Sequence, residues 1–327
     1  MLPIALDAMG GDSAPDDIVA GARLAADSGL DIVLVGPPEL IGGLGFEVIA
    51  ASEVIAMDAD AGSSVRKMKD SSLVRAAEAV RDGRASAMVS AGNTGATMAS
   101  ALLRMGRIRG VARPAIATPL PVPGRETPNV LIDAGANAEC QPEWLALFAR
   151  MGAVYVRDRY GTIEPRVGLL SIGEEAGKGT PLVKEAFELL SDDAWQSVVG
   201  CRFVGNVEGR DLLADEADVI VTDGFTGNVA LKTAEGVART VTKALLEAFD
   251  SSDDARRGAE LLMPALLPLY ETFDPESTGG AVLLGVRGVC VISHGSSGPK
   301  AVANALTVAA DLVRGDVVGH LTDAVAG

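Results

Sequence analysis

The chain predicts an α/β fold in which a mainly parallel sheet carries helices on both faces, and three observations lead there. Short apolar runs ending in Gly-rich polar stretches alternate with Ala-rich stretches of helical spacing along most of the 327 residues. Hydrophobic residues make up 48% of the chain and aromatics only 4%, a composition dominated by Ala, Val, Gly and Leu that suits parallel strands packed tightly against helices. Repeated βα units imply right-handed crossovers, and sheets of that kind take ligands beyond the carboxyl ends of their strands.

In chain order, residues 3–6 read as a strand that runs into Asp7-Ala-Met-Gly-Gly-Asp12 and a helix over 16–26. Strands follow at 32–35 and, after a weakly patterned Gly-rich segment, at 53–57; a helix covers 71–82 and a strand 87–90. Strands at 130–132, 167–171, 203–204 and 289–292 each lead into a polar loop, and a last helix spans 299–313. One stretch breaks the alternation. From Asn228 the helical pattern runs to about Phe249, pauses over 250–254 and resumes through Phe273, which reads as a helical hairpin (228–275) inserted into a single domain of residues 1–327. Its second arm holds ten consecutive uncharged residues, 261–270, with prolines at 264 and 268. Ten residues are too few to cross a bilayer, so the arm reads as a dimer contact or a membrane-surface contact.

Two of the polar loops match each other. Ser90-Ala-Gly-Asn-Thr-Gly and Thr222-Asp-Gly-Phe-Thr-Gly share the pattern Ser/Thr-x-Gly-x-Thr-Gly, each after a strand and before a helix. Glycines there allow close backbone approach, and amide N–H groups at a helix start attract an anion. Either loop alone is also accounted for as an ordinary βα turn; the repetition favours an anion site. Ser90, Gly92, Asn93, Thr94, Gly95, Thr226 and Gly227 are the candidate anion-binding residues. His294, in the His-Gly-Ser-Ser stretch that contains Ser296, suits a donor to a developing oxyanion or an acid for a leaving group. Lys184 and Asn228 offer a cation and an amide near the loops, although a structural histidine and a surface lysine fit the same residues.

Several chemistries are excluded. There is no Gly-x-Gly-x-x-Gly, no Gly-x-Ser-x-Gly, and the 173–179 stretch lacks the spacing and the hydroxyl residue of a phosphate loop. Two histidines and three dispersed cysteines give no metal-ligand spacing and no disulfide framework, which points to a reducing cytosol. The start of the chain lacks the basic region of a secretory signal, so no export is expected. A net charge of −16 argues against broad nucleic-acid binding. The basic residues are nevertheless uneven: residues 66–113 hold ten basic and three acidic side chains, a region able to dock an acidic partner.

Together, Asp7-Ala-Met-Gly-Gly-Asp12, the 90–96 and 221–229 loops, Asn206-Val-Glu-Gly-Arg-Asp211 and His294-Gly-Ser-Ser297 resemble the bacterial phosphate acyltransferases of phospholipid synthesis, in order from about residue 3 to residue 315. The resemblance implies transfer of a long-chain acyl group from acyl carrier protein to inorganic phosphate without metal or cofactor. It also implies a three-layer isopropylmalate-dehydrogenase-like α/β/α fold with a protruding hairpin, a homodimer, and a cytoplasmic enzyme held peripherally at the inner membrane surface beside a glycerol-3-phosphate acyltransferase. On that basis His294, Lys184 and Asn228 are expected to be catalytic, and the two matched loops to cradle phosphate jointly. Asp7, Gly10, Gly11, Asp12, Asp223 and Ser296 are expected in the surrounding strand-edge loops, Arg104, Arg107 and Arg109 in carrier-protein docking, and Leu262, Leu266 and Leu269 in membrane contact. Two departures stand out: the 36–66 stretch is short, and the hairpin's second arm has only Arg256 and Arg257 ahead of its apolar run where relatives carry more lysine. Short-chain phosphate acyltransferases that use coenzyme A, decarboxylating dehydrogenases of the same fold, and a non-catalytic scaffold for acyl carrier protein are the competing readings.

Overall fold

The computed structural model describes residues 1–274, 277 and 279–326. Pro275, the last residue of the expected hairpin, and Gly327 at the chain end lie outside the described residues. The first half runs β1 (Ile4–Asp7), α1 (Asp16–Asp27), β2 (Ile32–Gly36), α2 (Pro38–Ile41), β3 (Glu47–Ala50), α3 (Ala61–Lys67), α4 (Ser72–Arg81), β4 (Ala87–Ser90), α5 (Thr94–Arg104) and β5 (Ala115–Leu120). It continues with β6 (Asn129–Ile132), α6 (Pro142–Tyr160), β7 (Arg166–Leu170), α7 (Pro181–Leu190), α8 (Asp193–Val199), β8 (Arg202–Val207) and β9 (Val219–Val221). The helices α9 (Gly224–Phe249) and α10 (Asp253–Phe273) then precede β10 (Ala281–Leu284), β11 (Val289–Ile292), α11 (Pro299–Arg314) and α12 (Val317–Ala326).

The strands form one sheet in the order β3-β2-β1-β4-β11-β10-β5-β6-β9-β7-β8. Alternate residues of a strand face opposite sides, and here they enter two separate cores. Ile4 and Leu6 of β1, Val89 of β4 and Val219 of β9 join one core, while Ala5, Met88 and Ile220 join the other. Two apolar faces require two helix layers, which gives the three-layer α/β/α architecture.

The third strand differs from expectation. It lies at 47–50, paired in parallel with β2, whereas the 53–57 stretch contributes only an isolated bridge from Glu53 to Ser71. Each stretch buries one isoleucine in the same core, Ile49 and Ile55, but only 47–50 carries the backbone pairing with β2.

A second difference bears on the site. β5 and β10 are inserted between the two halves of the sheet, with β10 antiparallel to both β11 and β5, and β5 antiparallel to β6. Three antiparallel steps reverse the strand direction. The carboxyl ends of β1, β4, β11 and β5 therefore emerge at one sheet edge and those of β6, β9, β7 and β8 at the other. The polar loops read as sharing a single ligand edge are divided between two.

Candidate active site

The first edge gathers the loops after β1, β4 and β11. Asp7, the last residue of β1, is fully buried and accepts the Ser90 hydroxyl at 2.7 Å and the Met9 amide at 3.2 Å. Ser90 Oγ in turn accepts the Gly92 amide at 2.9 Å. Burial pushes the Asp7 carboxyl above its ordinary value, against hydrogen bonds from Ser72, Ser90, Met9 and Gly10 that favour the charged form. The two loops touch at Gly10, where a Cβ would come within 2.6 Å of the Gly92 amide nitrogen. Only glycine permits that approach.

The third loop closes over them. The Asp12 amide donates to the Gly295 carbonyl at 2.8 Å, beside Gly11, and the Ser293 amide donates to the Ser90 carbonyl at 2.8 Å. The Ser293 and Ser297 hydroxyls pair at 2.7 Å in the interior. His294 is exposed, and its Nδ1 lies 2.8 Å from Ser296 Oγ and accepts the Ser296 amide at 3.3 Å. A neutral ring that accepts at Nδ1 carries its proton on Nε2, so His294 presents a donor.

Asn93 caps α5 by accepting the Ala96 amide at 2.9 Å, while its NH2 donates to the Met57 and Ala59 carbonyls at 2.8 and 3.1 Å. Its side chain is thus spent on fixing the helix start. Thr94, exposed, and Gly95 occupy the first two helical positions, where amides point out of the helix at the positive end of its dipole.

The second edge is built in the same way around another strand-end aspartate. Asp133, fully buried after β6, accepts the amides of Ile116, Gly135, Ala136 and Asn137 at 2.8–3.1 Å and the Asn137 side-chain amide at 2.8 Å. Burial raises this carboxyl as well, with the amides opposing. Asp223 caps α9 and takes both the Thr226 amide and the Thr226 hydroxyl at 2.8 Å. A carboxylate of the protein therefore occupies the position an anion would take at this helix start. Gly227 is packed so closely that a Cβ would collide with the Asp133 carbonyl, and Asn228 donates to the Ala134 carbonyl at 3.2 Å. Lys184 is exposed on α7, beyond the β7 and β8 ends, where Asn206 donates to the Glu175 carbonyl at 2.9 Å.

The structure thus brings Asp7, Gly10, Gly11, Asp12, Ser90, Gly92, Asn93, Thr94, Gly95, His294 and Ser296 to one edge, and Asp223, Thr226, Gly227, Asn228 and Lys184 to the other. A phosphate cradle made jointly by the 90–96 and 222–229 loops of one chain is not formed by contact between them, because the strands that precede them run in opposite directions. Among the described residues no group of three or more His, Cys, Asp or Glu side chains is arranged to hold a metal ion. Burial pushes Cys140, Cys201 and Cys290 up to about 12, so none offers a thiolate nucleophile near neutral pH. Sequence reasoning missed Asp133, Ser72 and the Ser293–Ser297 pair. The usable signal for Asp133 was its likeness to Asp7, a lone aspartate ending an apolar strand before a Gly-containing turn.

The outlying candidates divide too. Arg104 is partly covered, 3.7 Å from Glu78, and reaches the Val65 carbonyl at 3.5 Å, which joins the ends of α3 and α5 into one basic region. Arg107 donates to the Ala112 carbonyl, and Arg109 is exposed. On α10, Leu262 and Leu269 are 54% and 49% exposed and Leu266 is half-buried; no residue of that helix is buried. Among the described residues no helix is long and apolar enough to cross a membrane.

Comparison with known proteins gives a consistent picture. A family model described as "Fatty acid synthesis protein" matches residues 2–320. A protein of Elusimicrobium minutum called phosphate acyltransferase is 46% identical over 99% of this chain and 96% of its own length. Another of that name from Myxococcus xanthus is 47% identical over 98% and 92%. Among solved structures, the EutD phosphotransacetylase of Staphylococcus aureus superposes with a TM-score of 0.62 at 17% identity, covering 95% of this chain and 94% of its own. The 4-hydroxythreonine-4-phosphate dehydrogenase of Klebsiella pneumoniae does so with 0.53 at 11% identity, covering 96% and 100%. Those two likenesses concern the fold.

Proposed function

The chain belongs to the phosphate acyltransferase family of fatty acid and phospholipid synthesis, and we propose that it transfers a long-chain acyl group from the thioester of acyl carrier protein to inorganic phosphate, releasing an acyl phosphate. The observation that supports this most is the convergence of the β1, β4 and β11 loops around an uncapped pair of helical amides and the donor ring of His294.

In this reading the phosphate dianion binds at the α5 start, against the Thr94 and Gly95 amides and the Thr94 hydroxyl. One phosphate oxygen attacks the thioester carbonyl carbon; the new C–O bond forms, the carbonyl becomes a tetrahedral oxyanion, and the C–S bond then breaks. Two things must be supplied: a donor for the oxyanion, and a proton for the departing thiolate. The neutral His294 ring donates from Nε2–H to the oxyanion, with Ser296 fixing its tautomer, and the proton carried by the attacking hydrogen phosphate passes to the departing thiolate. Asp7 acts through Ser90 to hold the 90–92 turn open. Positioning and electrostatic stabilisation of this kind need no covalent enzyme intermediate.

Lys184 leaves the other strand edge, so we assign it to the site of a second chain in a homodimer, where its ammonium would offset phosphate charge. Asn228 keeps the duty it shows here, tying α9 to the Ala134 carbonyl. The basic region that includes Arg104, Arg107 and Arg109 docks the acidic carrier protein, and the exposed apolar side chains of α10 rest on the inner membrane surface, close to a glycerol-3-phosphate acyltransferase that consumes the product. Production of acyl phosphate from palmitoyl-acyl carrier protein and phosphate, lost in His294→Ala, tests the reading.

A further inference from the structure

A groove of about 590 Å³ lies between the hairpin and the main sheet, with β5 as its floor and Leu120, Leu213, Leu231, Ala234, Ala238 and Phe273 among its walls. Leu231, Ala234 and Ala238 follow one another at three- and four-residue spacing, so a single face of α9 looks into it. Two of those three are alanines, which leave the room that larger side chains would have filled. Interiors are otherwise close-packed, and an apolar space of this size left open by its own chain marks a place for something else.

We propose that this groove binds the acyl chain of the substrate, a single long saturated hydrocarbon. The inference rests on the long-chain transfer reading and adds where the chain lies. Three observations favour that occupant. First, the groove is lined by the carboxyl end of β5, from Thr118 to Pro121, on the same sheet edge as Ser90 and the His294 loop, because β5 runs parallel to β4 and β11 across the intervening β10. Second, its lining is tied to the helix that follows that loop: Asp274, which lines the groove, lies 3.7 Å from Lys300 in the first turn of α11, six residues beyond His294. Third, each charged side chain along the groove already faces an opposite charge of the protein: Arg239 lies 3.9 Å from Glu235, Lys243 3.8 Å from Glu247, Asp250 2.6 Å from Arg256 and Asp274 3.7 Å from Lys300, which leaves the apolar lining to an uncharged guest. A helix of a second copy fits poorly. At roughly 10 Å across it would fill this volume in under two turns, far short of the roughly 800 Å² per partner of a stable interface.

Chain-length profiles test the groove. Initial rates are measured with carrier-protein thioesters of 8, 10, 12, 14 and 16 carbons for the unaltered protein and for Ala234→Phe and Ala238→Phe. In the unaltered protein kcat/KM climbs with length, by at most about fourfold for each added methylene. In the filled variants the climb stops at a shorter chain while the eight-carbon rate stays within twofold, which also shows that they fold. Independently of turnover, palmitic acid is expected to displace a dansylated fatty acid from the unaltered protein and to do so at least tenfold more weakly in both variants. Native profiles and native displacement in the variants would overturn the assignment, as would variants that alter sedimentation as a dimer but leave the profile intact. Absence of turnover with every thioester, with displacement still sensitive to the variants, would instead strike the proposed reaction and leave the groove standing.

Discussion

Ser90 Oγ sits 2.7 Å from Asp7 Oδ2 and 2.9 Å from the Gly92 amide, so one hydroxyl links a buried carboxyl on β1 to the turn that opens α5. The carboxyl pulls on the turn through a single side chain, and the state of that carboxyl reaches the stability of the whole edge. Burial holds the Asp7 pKa above its ordinary value, so the folded protein binds a proton that the unfolded chain has already released. The sign follows: the stability contributed by this group is greatest below the ordinary carboxylate range and declines as pH rises from there through the raised, folded-state value. Asp7→Asn removes that titration. Denaturant midpoints measured between pH 4 and pH 7 should therefore fall with pH less steeply in Asp7→Asn than in the unaltered protein, Asp133 contributing a similar slope to both; identical slopes contradict the linkage.

The basic region docks an acidic carrier protein in this account, and its charges are not equivalent. Arg104 already faces Glu78, whereas Arg109 is exposed. Arg107→Glu combined with Arg109→Glu is expected to raise KM for the carrier-protein thioester at least fivefold at low salt, with kcat little changed and the difference shrinking as salt is added. Equal KM values at low salt contradict docking there.

Membrane contact through α10 depends on its apolar side chains, since Arg256 is already paired with Asp250 and Asp253 at 2.6 and 2.7 Å and Arg257 lies 3.7 Å from Asp254. With its cations engaged the arm gains little from anionic lipid, where a free Lys or Arg contributes roughly 1 kcal/mol. Leu262→Glu and Leu269→Glu should lower the fraction that floats with liposomes of anionic phospholipid. A floated fraction that responds to salt but not to these substitutions points to a different surface.

Lys184 and His294 leave opposite strand edges, and assigning both to one reaction makes the site shared between chains. Lys184→Ala and His294→Ala chains, each inactive alone, should regain a fraction of the native rate when mixed and refolded together. Mixtures as inactive as their components place Lys184 outside the partner's site.

Much of this architecture is legible in the residues, and the part that is not has a specific cause. Strands such as β1, β4 and β11 stand out because an apolar run stops at a polar, Gly-rich turn. β5 and β10 do not: β5 contains Pro119, and β10 is four apolar residues after two glycines, too short for periodicity to separate strand from helix. Those two strands carry the reversal, so missing them merges two edges into one. The matched loops show the same limit. Both patterns include a helix cap that accepts the amide three residues on, but at 93 the cap is a neutral amide, while at 223 it is a carboxylate and the first helical amide, that of Gly224, is taken by the Asn137 carbonyl. The pattern Ser/Thr-x-Gly-x-Thr-Gly is blind to that difference.

The central claim is the reaction itself, and the most direct measurement is acyl phosphate formed by the purified protein from palmitoyl-acyl carrier protein and phosphate, trapped with hydroxylamine and run beside acetyl-coenzyme A. The account predicts turnover with the carrier-protein thioester, a much lower rate with acetyl-coenzyme A, and a loss of at least a hundredfold in His294→Ala. Turnover with acetyl-coenzyme A alone, or a His294→Ala protein as active as the unaltered one, would contradict it.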